Sequence, residues 1–224
     1  MSDILLDLMS YLEAKDFYDK FLPILFGWFL GIFSTLVIEL IRRRIKISKI
    51  KKIVFSQLVD LGSKIILSSF MIKQKFGKMD IDTAKSFIDI SKLHYPTLIS
   101  KELISVLEKM VSSHQEDFQT YLKMTSESQT AFNLKQYSLS IIQHGKESID
   151  LLPTKLYSNL LEIDSKLNEI NQEIDFSNKA FDQTFSESTS TNAIAKGNLE
   201  KSHMFISLIY EKIHQKILDT KESL

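Results

Sequence analysis

"FLPILFGWFLGIFSTLVI", residues 21–38, runs for eighteen residues without a charge. At about 1.5 Å per residue such a helix rises roughly 27 Å, close to the hydrocarbon thickness of a bilayer. Leu40 and Ile41 extend the run, and Glu39 reaches toward the headgroups. A transmembrane helix is predicted over residues 21–41, with Pro23 in its first turn, where a missing N–H costs little. Core helices of soluble proteins are usually shorter and seldom carry such flanks. A cleaved signal peptide needs a basic start and small residues at its cleavage site; here the start is acidic and the run ends in "ELIRRR". The segment reads as a retained anchor.

The flanks give an orientation. Residues 1–38 hold Asp3, Asp7, Glu13, Asp16 and Asp19 against Lys15 and Lys20, a balance of −3. Residues 39–52 hold Arg42, Arg43, Arg44, Lys46, Lys49, Lys51 and Lys52 against Glu39, a balance of +6, so residues 53–224 balance at −3 in a net-neutral chain. Basic residues beside a span stay cytoplasmic, which puts the N-terminus outside and the long C-terminal part inside the cell membrane. The same seven residues are expected to contact lipid headgroups, at about 1 kcal/mol each near an anionic surface. Their place beside the span accounts for them without a nucleic-acid partner. On the outer side, Ile4, Leu5, Leu8, Met9 and Leu12 make an apolar face on an arm over residues 1–20, expected to lie along the outer leaflet, with Phe17 and Tyr18 at the interface.

Gly27, Gly31 and Thr35 recur every four residues and so share one face of the span. Small residues let a second helix approach closely, and lipid supplies no other hydrophobic reason for pairing. These three residues are the expected contact for a second copy or a partner span. Trp28 lies near mid-span, away from the interfacial belts where tryptophan concentrates.

Six glycines and three prolines in 224 residues leave few places to turn. The expected class is all-α: one transmembrane helix continuing, through a basic collar at residues 42–52, into a cytoplasmic antiparallel helical bundle at residues 53–224 with a coiled-coil-like hairpin. Ile47, Ile50, Val54, Leu58, Leu61 and Ile65 keep a three–four spacing, continued by Ile72 and Phe76. A second span over 53–72 is excluded by Asp60 and Lys64, at roughly 2.5–3.5 kcal/mol each in mid-membrane. "GKMD" at 77–80 ends this helix, and Asp82 is the expected cap of a short helix reaching about His94. Beyond Pro96 one long helix is predicted, with Ile99, Leu103, Leu107, Met110, Phe118 and Tyr121 on one side. Another is predicted over about 130–150, with Leu134, Tyr137 and Ile141, and Leu152 near its end. After Pro153, Leu156, Leu160, Ile163, Leu167, Ile170 and Ile174 alternate spacings of four and three, with Phe181 a heptad on. "TFSESTSTN" at 184–192 is a polar loop, and Leu199, Ile206, Ile213 and Ile217 form the seam of a last helix.

Little in the sequence points to catalysis. Cysteine is absent, which removes disulfides and thiolate metal sites. His94, His114, His144, His203 and His214 form no HExxH pair, and the carboxylates lack the di-iron ExxH pattern. His114, His144 and His203 fall on the apolar stripes of three helices and read as hydrogen-bonded interior residues. No phosphate loop or nucleophile elbow is present, and every arginine lies at 42–44. No cofactor or metal is expected. The expected function is a single-pass scaffold or sensor that binds an unidentified cytoplasmic protein through its bundle. The alternative is a membrane-disrupting effector of a bacterial stress or phage-defence system, assembled through its transmembrane helix.

Overall fold

The computed structural model describes residues 15–113, 115–127, 134–145, 149–184, 189–222 and 224. Among these the chain is all-helical, without strands. The helices are α1 (Lys15–Lys75), α2 (Ile81–His94), α3 (Lys101–Ser112), α4 (Gln115–Glu127), α5 (Ser140–His144), α6 (Thr154–Gln183) and α7 (Thr189–Glu222). The chain divides into two units, Met1–Lys49 and Ile50–Leu224.

In the first unit α1 includes residues 15–20 of the expected outer arm; the rest of the arm, residues 1–14, lies outside the described residues. Pro23 is therefore inside a helix and not in its first turn. Its ring removes the N–H that would bond the Asp19 carbonyl, a cost that falls on the third turn of the helix. Every residue from Phe21 to Lys46 is exposed. One helix near the N-terminus is long and apolar enough to cross a membrane.

The second unit holds two apolar cores. One joins Ile50, Val54, Leu58, Leu61, Ile65 and Ile72 of α1 to the seams of α6 and α7. All six residues of the 156–174 seam are buried, as are Ile206, Ile213 and Ile217. Bonds from Ser202 to Glu173 and from Lys216 to Glu162 show that α6 and α7 run antiparallel, one index falling as the other rises. α7 starts at Thr189, so the expected 184–192 loop is helical over its last four residues, while residues 185–188 lie outside the described chain. The other core joins Ile66 and Phe70 of α1 to α2, α3 and α4, with the Phe70 and Phe87 rings stacked at 4.1 Å.

Local chemistry sets the breaks. Gly77 closes α1 at φ 62°, a left-handed conformation that side chains resist, and Lys78 N–H returns to the Lys73 carbonyl at 2.9 Å. The cap of α2 is Asp80, not Asp82: its carboxylate accepts the Thr83 N–H at 2.7 Å, and Asp82 sits inside the first turn. The long helix expected after Pro96 is two helices. Ser112 and Ser113 donate their hydroxyls to the carbonyls of Lys109 and Met110, offering the backbone an alternative to further helix, and α3 stops there.

The helix expected over 130–150 is the largest departure. Residues 134–139 have no helical structure, Ser140–His144 form a short turn of helix, and residues 130–133 and 146–148 lie outside the described residues. The Asn171 side chain of α6 takes both backbone groups of Tyr137, accepting its N–H at 3.1 Å and donating to its carbonyl at 2.8 Å. Gln57 of α1 accepts the Ile141 N–H at 3.2 Å and donates to the Ser140 hydroxyl at 2.7 Å. Side-chain amides thus satisfy backbone that a helix would have satisfied internally. Leu134, Leu139 and Ile141 are nonetheless buried, as their apolar spacing requires.

Candidate functional site

On α1 the residues expected to pack against another helix are open. A Cβ added at Gly27 or Gly31 would meet nothing within 4 Å. Ser34 and Thr35 donate their hydroxyls to the Gly31 carbonyl, each at 2.9 Å. Their polar groups are thereby satisfied within the helix, which suits an apolar surrounding. At about 100° per residue, Leu22, Leu25, Phe26, Phe29, Leu30 and Phe33 fall on the opposite side of the helix, roughly 160° away. Ile24, Trp28 and Ile38 stand beside the two glycines on their side of the helix. Trp28 is exposed and meets Phe29 edge-on at 6.2 Å.

The collar is unevenly placed. Arg42, Arg43, Arg44, Lys46, Lys49 and Lys52 are exposed. Lys51 is half-buried and donates to the Leu224 carbonyl at 3.2 Å, so its ammonium is already engaged by the protein.

In the second unit a cleft of about 410 Å³ opens between α1, α2 and α7, lined by Ser69, Lys73, Asp82, Ser86, Glu211 and His214 among others. Glu211 holds the Lys73 ammonium at 2.5 Å and the Ser69 hydroxyl at 3.2 Å, and Ser69 meets Ser207 at 2.8 Å. His214 is buried, and its Nε2 meets the Tyr95 hydroxyl at 2.9 Å. Burial pushes the His214 pKa down to about 4, assisted by His94 and Lys221 nearby, and raises that of Tyr95. Both are therefore neutral near pH 7. Lys221 stands over the rings of Phe55 and Tyr95, 5.5 and 5.2 Å from their centres, and burial lowers its pKa. Glu211 thus pairs with the Lys73 ammonium and also accepts the Ser69 hydroxyl. Among the described residues no three His, Asp or Glu side chains converge as metal ligands.

Of the three histidines expected on apolar stripes, His203 is buried, beside the Phe76 ring at 5.4 Å, and burial pushes its pKa down to about 4. His114 and the side chain of His144 lie outside the described residues. The Tyr95–His214 pair is not visible in the sequence, since its partners are 119 positions apart. One trace of it exists. Gly62 stands in mid-helix where a Cβ would collide with the Tyr95 hydroxyl, and an isolated helical glycine marks such a close approach.

The chain matches no protein-family model, no curated protein and no solved structure.

Proposed function

We propose that the protein is a single-pass membrane-anchored helical scaffold or sensor, with its N-terminus outside and the unit Ile50–Leu224 in the cytoplasm as a helical bundle that binds a partner protein. The carrying observation is the uncharged run at 21–38, exposed along its whole length and followed at once by the basic collar. In water that much apolar surface would be costly, whereas lipid solvates it. The collar then sets the orientation and holds anionic headgroups through Arg42, Arg43, Arg44, Lys46, Lys49 and Lys52. Reporter fusions at the C-terminus test this directly. One active only outside the cytoplasm overturns the orientation, and recovery of the full chain in the soluble fraction overturns the anchor.

The small face of Gly27, Gly31 and Thr35 brings copies together, leaving the Leu/Phe stripe to lipid. Gly27→Leu with Gly31→Ile should weaken association in a membrane reporter while insertion persists, because lipid is as apolar as the added side chains. Unchanged association would make these glycines incidental. Expression of residues 1–52 alone separates the scaffold from the effector alternative: harmless expression fits a scaffold, and toxicity fits an oligomerising span that breaches the bilayer.

A further inference from the structure

The cleft between α1, α2 and α7 combines apolar lining with charges of both signs. Its volume of about 410 Å³ falls in the range of small-ligand sites. Ile66 and Phe70 of α1 and Phe87 and Ile90 of α2 supply the apolar lining. Lys73 of α1 and Glu211 of α7 supply opposite charges, and exposed Asp82 of α2 adds a second carboxylate. The Lys73 side chain is only 20% exposed, and its ammonium has three N–H donors, of which Glu211 needs one.

One polar atom in this lining is left over. His214 is 4% exposed, and the Tyr95 hydroxyl occupies its Nε2 at 2.9 Å. No other hydrogen bond reaches the imidazole among the described residues, so its Nδ1 lacks a partner there. Buried polar atoms are ordinarily paired, and this one belongs to a side chain that lines the cleft. We propose that the cleft binds a zwitterionic amino acid with an apolar side chain. Its carboxylate accepts from the Lys73 ammonium and from His214 Nδ1–H, while the Tyr95 hydroxyl donates to Nε2 and so leaves the imidazole proton on Nδ1. Its ammonium pairs with Glu211, and its side chain lies against Phe87 and Ile90. A lone anion would face two carboxylates, and a lone cation would leave the donors of Lys73 and His214 unmet; a molecule with both charges answers each sign. The inference goes beyond the proposed function and does not depend on it, because every residue it uses lies in the second unit.

The test uses the full chain in lipid nanodiscs, titrated calorimetrically with L-leucine and with L-phenylalanine. At least one of these should bind saturably, with a Kd of about 1 mM or tighter. Its single-charge analogues, the amine without the carboxylate and the acid without the ammonium, should each bind at least about tenfold more weakly, as loss of a charge-assisted hydrogen bond requires. Glu211→Gln should weaken the amino acid by a similar factor without weakening the acid analogue. Ser86 lines the cleft from an exposed position, so Ser86→Trp fills the space and should abolish binding at unchanged helicity. The proposal is overturned by the absence of saturable binding for both amino acids, by equal binding of the amino acid and its analogues, or by full binding to a helical Ser86→Trp chain. Should Ser86→Trp lose helicity, hydrogen exchange on wild type decides instead: saturating amino acid must slow exchange at residues 211–215, and unchanged exchange overturns the site.

Discussion

Two glycines outside the span are in opposite situations. At Gly62 an added methyl would strike the Tyr95 hydroxyl, so Gly62→Ala should displace Tyr95 from His214 and destabilise the fold by about 1–3 kcal/mol, the usual cost of overpacking. At Gly197 a Cβ meets nothing within 4 Å, and Gly197→Ala should stabilise α7 by about 0.5–1 kcal/mol through helix propensity. Denaturant titration of both variants checks the contrast, and equal effects would contradict it. The buried histidines give a pH dependence. His203 and His214 have pKa values pushed down to about 4 in the folded protein, against about 6.5 in an unfolded chain. Between these values the unfolded state binds more protons, so stability is full above about pH 6.5 and falls as pH drops toward 4, by up to about 3 kcal/mol per histidine. His203→Phe should flatten this acid limb by about half, read as the shift in urea midpoint between pH 7 and pH 5. An unchanged slope would mean that other groups control it.

At the scale of elements, each boundary belongs to a few polar side chains. Asp80→Ala removes the cap of α2 and should cost about 1 kcal/mol, while Asp82→Ala, inside the first turn, should cost less. The Thr83 hydrogen bond also holds the Asp80 carboxyl below the usual range. Its contribution is therefore present at neutral pH and lost as pH falls through that depressed value. Comparing the two variants at pH 7 tests which aspartate caps; an equal loss would refute the assignment. The 134–141 segment shows the limit of periodicity. Leu134, Tyr137 and Ile141 are spaced as on a helix, and all lie at least partly in the core, but residues 134–139 are not helical and the amides of Asn171 and Gln57 bind the backbone at Tyr137 and Ile141. Those amides come from α6 and α1, far away in sequence.

The whole molecule divides between Lys49 and Ile50, and its second unit has its own cores. Residues 50–224 expressed alone should be soluble and strongly helical, since their apolar seams are buried against one another. Circular dichroism dominated by coil would show that the unit needs its membrane end or a partner. The full chain, by contrast, should be extracted from membranes only by detergent, because the run at 21–38 has no burial of its own.

The sequence by itself determined the helical class, the apolar run, the seams at 156–174 and 206–217 and the breaks near Gly77, Pro96 and Pro153. These rest on local spacing and on the conformational limits of glycine and proline, both carried by neighbouring residues. The structure was needed to show that Asp80 caps α2, that α3 and α4 are separate, that residues 134–139 are not helical, and that Tyr95 meets His214 across 119 positions. In the last two the deciding partner stands on another helix, so the outcome depends on which surfaces packing brings together. At Asp80 and Ser113 the competition is between hydrogen bonds of similar strength, and a small difference in geometry selects one.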